Sequence, residues 1–177
     1  MIPPPEISYR DLGTAKKSLQ LWARTHGYAM RTQRSKLRKN GDISKVFLQC
    51  DRGGQYRDRL HDESIRLRHN TGSRKTNCPF SVVVSESDGL WQVIIRDPEH
   101  NHDASIHAYA HPVHRRDDIQ NDGVHDIVYA QMKAGIGATD TIRTLRQIDP
   151  DMSVTRRDVH NLRADIKQKE LNGWSPI

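Results

Sequence analysis

The sequence predicts an α+β fold, in which one N-terminal helix and a small antiparallel four-stranded sheet precede a C-terminal segment of three helices. Three observations predict this fold class. Apolar residues recur at helical spacing near the start, alternate in short segments between glycine-containing turns, and return to helical spacing in the last third. Because only 34% of the 177 residues are hydrophobic and 6% are aromatic, any core is thin. Small domains of this kind often need a metal or a disulfide for stability.

The first helix is predicted over residues 11–25 and follows a proline-rich extended arm, residues 1–10. Gly27 is suited to its C-terminal end, because glycine adopts a positive φ without strain. We expect the helix to pack against a core, since one of its faces carries apolar residues three and four positions apart. These residues are Leu12, Ala15, Leu19 and Trp22.

Short strands are predicted in the middle of the chain. Two hairpin turns are predicted, at Asn40-Gly41 and at Asp88-Gly89, because these dipeptides accept the positive φ angles of tight turns. Residues 51–77 are polar and basic without a periodic pattern, which is typical of a long loop. The predicted strands are residues 28–33, 45–49, 79–85 and 90–96.

A set of two cysteines and two histidines predicts a metal site. Cys50 and Cys78 are the two cysteines of the chain and have 27 residues between them; 21 more precede His100, and one residue separates it from His102. Two thiolates and two imidazoles are the ligands of a closed structural zinc site, so one structural Zn²⁺ is the predicted cofactor. All four residues lie at predicted strand ends, where a small sheet can gather them. Two alternatives stay open: the cysteines are buried core thiols, or one ligand is replaced by His107, His111 or His114.

Three helices are predicted to follow a linker, residues 105–116. They occupy residues 117–172 and precede a short tail, residues 173–177. Thr155 is suited to cap the third helix, with Asp158 as the reciprocal partner of a capping box. The tight connection before this helix gives the segment a helix-turn-helix character.

Basic charge is concentrated in the first half of the chain. Between Arg24 and Lys75, Lys and Arg outnumber Asp and Glu by 14 to 5. Such clustering is typical of proteins that bind phosphate backbones, and a solvated basic face is the simpler alternative. The predicted partner is double-stranded DNA. Two surfaces are candidates for the contact: a strand region with Arg31, Gln33, Arg34, Lys36, Arg38, Lys39 and Lys45, and the third helix with Arg156, Arg157, Asn161, Arg163 and Lys167.

Other functional classes have less support in the sequence. No motif of nucleophilic or phosphate-loop catalysis is present, so we expect a protein that is not an enzyme and has no small-molecule substrate. The apolar runs are too short to cross a membrane, and the start of the chain lacks the pattern of a secretory signal. We therefore expect reduced cysteines that are available to a metal. A metal-dependent nuclease and a protein-interaction or dimerisation module stay open as alternatives, as does a homodimer.

The order of these residues resembles a known family, the zinc DNA-binding domain of the far-red-impaired-response type within the WRKY–GCM zinc-finger group. The resemblance covers residues 11–103. It implies a four-stranded antiparallel sheet that holds zinc through the two cysteines and two histidines, and DNA contact from the strand region between Arg31 and Lys39. The WRKY heptapeptide is absent, so the base preference of that group is not carried over. The resemblance rests on Gly27-Tyr28, Arg34-Ser35-Lys36, Cys50, Cys78-Pro79-Phe80, Trp91 and His100-Asn101-His102.

A second resemblance concerns the C-terminal segment. Residues 153–173 are similar to the segment ahead of the catalytic core in fungal Mutator-like transposases, whose acidic catalytic residues lie farther downstream. Together, the two resemblances imply a nuclear protein. It would be a transcription regulator or the DNA-binding part of a transposase.

Overall fold

The computed structural model describes residues 1–55 and 73–171. Contacts between residues divide the chain into two compact units, Met1–Ala104 and Ser105–Ile177. The predicted α+β class is confirmed, because the first unit contains an antiparallel sheet with an N-terminal helix and several helices follow in the second. The number of strands and the number of C-terminal helices both differ from the prediction.

The sheet of the first unit is antiparallel throughout. Its strands are β1 Ser8–Tyr9, β2 Met30–Leu37, β3 Ile43–Cys50, β4 Ser81–Ser87 and β5 Leu90–Asp97. They lie in the order β1-β5-β4-β3-β2, so β2 is an edge strand.

The predicted count of four strands was wrong, because part of the predicted extended arm pairs with β5. Ser8 lies opposite Gln92, and Tyr9 lies opposite Trp91. A strand of two residues is too short to show an alternating pattern in the sequence. It forms because β5 has a second edge whose backbone groups need partners.

The predicted first helix is confirmed as α1, Leu12–Thr25. Asp11 caps it by accepting a hydrogen bond from the backbone N–H of Thr14 at 2.8 Å. The helix covers one face of the sheet, where its apolar residues join strand residues in a single buried cluster. Among the members of this cluster are Ala15, Leu19, Ala23, Val46, Leu48, Val82, Val84 and Val93.

The two predicted hairpin turns have different geometries. Asp88 and Gly89 have φ values of 53° and 75° and join β4 to β5 in the tight turn that the sequence predicts. The connection between β2 and β3 is longer and comprises residues 38–42, of which only Gly41 has a positive φ, 90°. The Asn40-Gly41 dipeptide therefore lies in a wider loop than the expected two-residue turn.

Within residues 105–171, the second unit has four helices rather than the predicted three. They are α2 Pro112–Ile119, α3 Asp122–Lys133, α4 Ala138–Ile148 and α5 Arg156–Glu170, and a 3-10 turn at Ala108–Ala110 precedes them. Residues 112–116 of the predicted linker therefore belong to a helix. Pro112 explains the difference, because proline breaks the interior of a helix but is favoured at its first position.

The predicted capping box at the start of α5 is confirmed. The Asp158 carboxylate accepts a hydrogen bond from the Thr155 backbone N–H at 2.9 Å, and the Thr155 hydroxyl accepts one from the Asp158 N–H at 3.4 Å. The helices of this unit enclose their own buried cluster, separate from that of the sheet. It consists of Val124, Val128, Ala138, Leu145, Val154 and Val159.

Candidate metal centre and nucleic-acid surface

The four predicted metal ligands come together in the first unit. Cys50 is the last residue of β3, Cys78 lies just before β4, and His100 and His102 follow β5. One donor atom from each residue lies within 4.8 Å of all the others. The closest pairs are Cys50 Sγ and His102 Nε2, 3.2 Å apart, and Cys78 Sγ and His100 Nδ1, 3.4 Å apart. This arrangement can hold a metal ion.

Backbone hydrogen bonds fix the two cysteines relative to one another. The Cys50 N–H donates to the Phe80 carbonyl at 3.1 Å, and the Cys78 N–H donates to the Arg52 carbonyl at 3.3 Å. Gly53 lies between the cysteines: a Cβ atom at this position would stand 2.9 Å from the Cys50 carbonyl oxygen and 3.2 Å from that of Cys78. The close approach of these backbones therefore requires glycine at position 53.

Each histidine is held by contacts outside the cluster. The His100 ring stacks on Phe80 with 4.2 Å between ring centroids, and its buried Nε2 has no hydrogen-bond partner among the described residues. His102 Nδ1 lies 3.0 Å from the Asp103 carbonyl. Because a carbonyl only accepts, Nδ1 carries the proton, and Nε2 presents its lone pair toward Cys50 Sγ.

Burial sets the protonation states of two ligands in the absence of an ion. It raises the pKa of the Cys50 thiol to about 12, with further contributions from the neighbouring Cys78 and Asp51. Burial also lowers the pKa of His100 to about 4, and the nearby His102 adds to this effect. The imidazole of His100 is thus neutral and ready to bind a cation at neutral pH, whereas metal binding must displace the Cys50 proton.

The basic residues predicted on the strands lie mainly on the sheet face opposite α1. Val46 and Leu48 point toward α1, so Lys45, Phe47 and Gln49 point the other way. The register places Arg31 opposite Gln49, Arg34 opposite Phe47 and Lys36 opposite Lys45. We call this surface, defined by Arg34, Lys36, Lys45, Phe47 and Arg96, the basic face.

Arg96 is a further basic residue of this face that the sequence did not predict as a DNA contact. It lies near the end of β5, is exposed, and borders the same cavity as Arg34 and Phe47. The alternation along β5 is a weak signal for Arg96 in the sequence. Val93 and Ile95 face inward, so Ile94 and Arg96 are expected to face outward. The ladder of β4 and β5 shifts register at this point, which the sequence does not reveal.

The remaining predicted contacts of the sheet region differ in their surroundings. Gln33 is exposed at an irregularity in the ladder between β2 and β3. Arg38 and Lys39 lie in the connection that follows β2, and Arg38 forms an ion pair with Glu86. Arg31 is half-buried and donates from Nη2 to the Gly53 carbonyl at 3.1 Å.

The predicted contacts of the third helix lie in the second unit. Arg156, Arg157, Asn161 and Lys167 are exposed on α5. Arg163 is half-buried and donates to the Thr141 hydroxyl at 2.6 Å, which joins α5 to α4. In the predicted basic loop, Arg74 lies 3.7 Å from Asp51, whereas Arg57, Arg59, Arg66 and Arg68 lie outside the described residues.

Most of the first unit matches a known protein family. The FAR1 DNA-binding domain matches residues 19–106, a range that includes the strands β2 to β5 and all four residues of the metal cluster. The first unit is a FAR1-type DNA-binding domain. This membership confirms the family resemblance seen in the sequence and supports DNA as the partner of the FAR1 domain.

A curated relative extends the similarity to the second unit. The PKS-NRPS hybrid synthetase cheA of Chaetomium globosum is 26% identical over 184 aligned residues, which cover 99% of this chain. The chain spans only 4% of the length of that synthetase. No solved structure gives a significant match. In the described ranges, no helix combines the length and the apolar character needed to cross a lipid bilayer.

Proposed function

We propose that this chain binds double-stranded DNA in a sequence-specific manner and that a single structural Zn²⁺ is required for binding. The observation that carries the proposal is the convergence of Cys50, Cys78, His100 and His102 within a FAR1 DNA-binding domain. No catalytic role is proposed for the metal. Four protein ligands complete a tetrahedral zinc site, which leaves no open position for a substrate or an activated water.

The donor set and its spacing favour zinc over other metals. Zinc bonds of about 2.3 Å to sulfur and about 2.0–2.1 Å to nitrogen separate neighbouring ligand atoms by about 3.3–3.8 Å in a tetrahedron. The closest sulfur–nitrogen pairs here are 3.2 and 3.4 Å apart, and all four atoms lie within 4.8 Å of one another. Thiolates with imidazoles disfavour Mg²⁺ and Ca²⁺, which prefer oxygen ligands.

DNA contact is proposed for the region around β2, which is an edge strand with exposed basic residues. A two-stranded ribbon such as β2 with β3 fits the major groove. Lys36 and Lys45 would neutralise phosphates, while Gln33 and Arg34 have the donor and acceptor groups that read adenine and guanine edges. Arg38, Lys39 and the exposed residues of α5 would add contacts outside the ribbon.

The cellular role is also a proposal. The resemblance of residues 153–173 to transposase segments supports a nuclear protein, either a transcription regulator or the DNA-binding part of a transposase. A palindromic binding site would indicate a homodimer, because the symmetry of an operator follows the symmetry of the protein.

A metal-dependent nuclease is the first alternative. Across residues 1–55 and 73–171, the Cys2His2 cluster is the one group of three or more potential ligands close enough to share an ion. Incubation of the chain with duplex DNA and divalent metal tests this alternative directly. Strand cleavage that disappears in Cys78→Ala would replace the DNA-binding proposal with an enzymatic one.

Selection of bound sequences from a random DNA pool, followed by fluorescence anisotropy, tests the proposal itself. We expect an enriched sequence, tight binding by the zinc-loaded chain, and loss of binding after chelation that added zinc restores. Cys78→Ala and His102→Ala should bind less than one zinc per chain and lose DNA binding. A chain that binds no duplex at low salt would instead favour the protein-interaction module.

A further inference from the structure

A concave pocket on the basic face brings together arginines from distant parts of the first unit. The cavity has a volume of about 270 Å³. Arg34 comes from β2, whereas Arg96 comes from β5 at the other side of β3 and β4. Residues that line the cavity include Gln33, Arg34, Phe47, Ser81, Val83 and Arg96.

Both guanidinium groups are available to a ligand. The Arg34 guanidinium carbon lies 4.1 Å from the centroid of the Phe47 ring, so the ring supports the guanidinium from one side. Arg34 and Arg96 are exposed, and neither forms a hydrogen bond or an ion pair within the described parts of the chain. Two unpaired guanidiniums at the rim of one cavity attract an anion, and they match the bidentate geometry of phosphate oxygens.

The neighbouring strand positions increase the positive potential. Lys36 and Lys45 lie directly opposite each other on β2 and β3, and both are exposed. Like charges at directly opposed positions destabilise a sheet. The repulsion between these two lysines is therefore retained next to the cavity, and the binding of an anionic partner would reduce it.

We propose that the cavity between Arg34 and Arg96 binds one backbone phosphate of the DNA. The two guanidiniums donate to its oxygens, the Ser81 hydroxyl lies at the cavity wall as a further donor, and Phe47 keeps the Arg34 guanidinium in place. The inference rests on the proposed DNA binding and deepens it. It assigns a phosphate contact to β5, outside the strand region in which the sequence predicts the contacts.

The test is the salt dependence of binding to a duplex. Each neutralised phosphate contributes about 0.9 to the slope of log K against log salt concentration. Because the proposed contact needs both guanidiniums to hold the phosphate, Arg96→Gln should reduce this slope by up to about 0.9 and weaken binding at low salt. Lys17→Gln is the matched control, because it removes one charge from α1, on the opposite side of the sheet. Arg96→Lys keeps the charge and should retain most of the slope.

The outcomes separate this inference from the proposed function. A wild-type chain that binds DNA, with an unchanged slope in Arg96→Gln, would overturn the phosphate pocket and leave DNA binding intact. A wild-type chain that binds no duplex would overturn both. Circular dichroism and zinc content establish whether Arg96→Gln is folded; if it is not, Arg34→Gln removes the other guanidinium, and an unchanged slope there would equally overturn the pocket.

Discussion

Arg31 links the metal cluster to the edge strand of the FAR1 domain. Its Nη2 donates to the Gly53 carbonyl at 3.1 Å, and its Nε reaches the side-chain oxygen of Gln49 at 3.0 Å when that amide is oriented toward it. Gly53 in turn lies against the backbones of both cysteines. If a metal joins the two cysteines, its removal should loosen this segment and weaken its contact with β2. Any contribution of Arg31 to DNA binding would therefore include its effect on the conformation of the strand.

Gly53→Ala tests whether the close approach of the cysteine backbones is required for metal binding. The added methyl group would stand 2.9 Å from the Cys50 carbonyl oxygen, so the backbone must shift. We expect a loss of about 1–3 kcal/mol in the free energy of unfolding, as in other overpacked sites. Zinc affinity, measured by competition with a chromogenic chelator, should fall as well.

The control for this variant is Gly137→Ala. A Cβ at position 137 would meet only Asp140 at 3.6 Å, an ordinary contact, so the zinc affinity should not change. Equal zinc affinities for Gly53→Ala and the wild type would show that the cysteine backbones tolerate a wider separation than the structure has.

At the scale of elements, two candidates for DNA contact differ in how they are built. The strand β2 lies at a sheet edge, and its outward side chains join those of β3 in one basic face. The helix α5 is exposed along Arg156, Arg157 and Lys167, but its Arg163 is already bonded to Thr141. The sheet therefore presents more unpaired positive side chains on one continuous surface than α5 does.

Paired substitutions compare the two elements at equal charge. Lys36→Gln with Lys45→Gln removes two directly opposed positive charges, so the fold should be as stable as the wild type or more stable by about 0.2–1 kcal/mol. DNA affinity should nevertheless fall, with a slope reduced by up to about 1.8 for two phosphates. Urea denaturation and anisotropy measure the two effects.

The matched variant on the helix is Arg156→Gln with Arg157→Gln. We expect a smaller change in both the affinity and the salt slope. If this variant loses more affinity than the one on the sheet, α5 is the main DNA-contacting element and the assignment to β2 is incorrect.

At the scale of the whole molecule, each unit has its own apolar core, and the core of the first unit includes the two cysteines of the candidate metal cluster. Zinc binding contributes about 10–16 kcal/mol in zinc-finger peptides, which is comparable to the about 5–15 kcal/mol net stability of an ordinary domain. A bound Zn²⁺ would therefore add strongly to the stability of the first unit, and chelation should lower its urea midpoint. The second unit encloses its own apolar cluster, so its helices should persist after chelation.

Acid should destabilise the metal-free first unit through His100. Its pKa is about 4 in the folded chain and about 6.5 when unfolded, so the unfolded chain binds the proton more tightly. The resulting stability is present above about pH 6.5 and is lost as the pH falls toward 4. Urea midpoints of the chelated chain, followed by circular dichroism, should decrease across this range.

His100→Phe isolates this contribution. Phenylalanine keeps a ring against Phe80 and Tyr28 but does not titrate, so the decrease between pH 6.5 and 4 should be smaller than in the chelated wild type. Identical pH profiles for the two chains would assign the acid sensitivity to other groups.

Local patterns in the sequence were sufficient for α1, for the Asp88-Gly89 turn and for the cap at Thr155. Each of these features depends on side-chain spacing or on the φ preference of a few neighbouring residues. The four residues of the candidate metal cluster could also be predicted, because two thiolates and two imidazoles at strand ends are the ligand set of a structural zinc site.

Tertiary structure decided the remaining features. The strand β1 forms only because it pairs with the free edge of β5. The helix α2 begins at Pro112, whereas the sequence alone suggests that this proline interrupts a helix. Arg96 reaches Arg34 only through the pairing of four strands and a register shift near Val82. Register and face depend on contacts between residues far apart in the chain, whereas periodicity reports only on near neighbours. The residues of the candidate metal cluster were therefore visible in the sequence, but the surface on which Arg96 joins Arg34 was not.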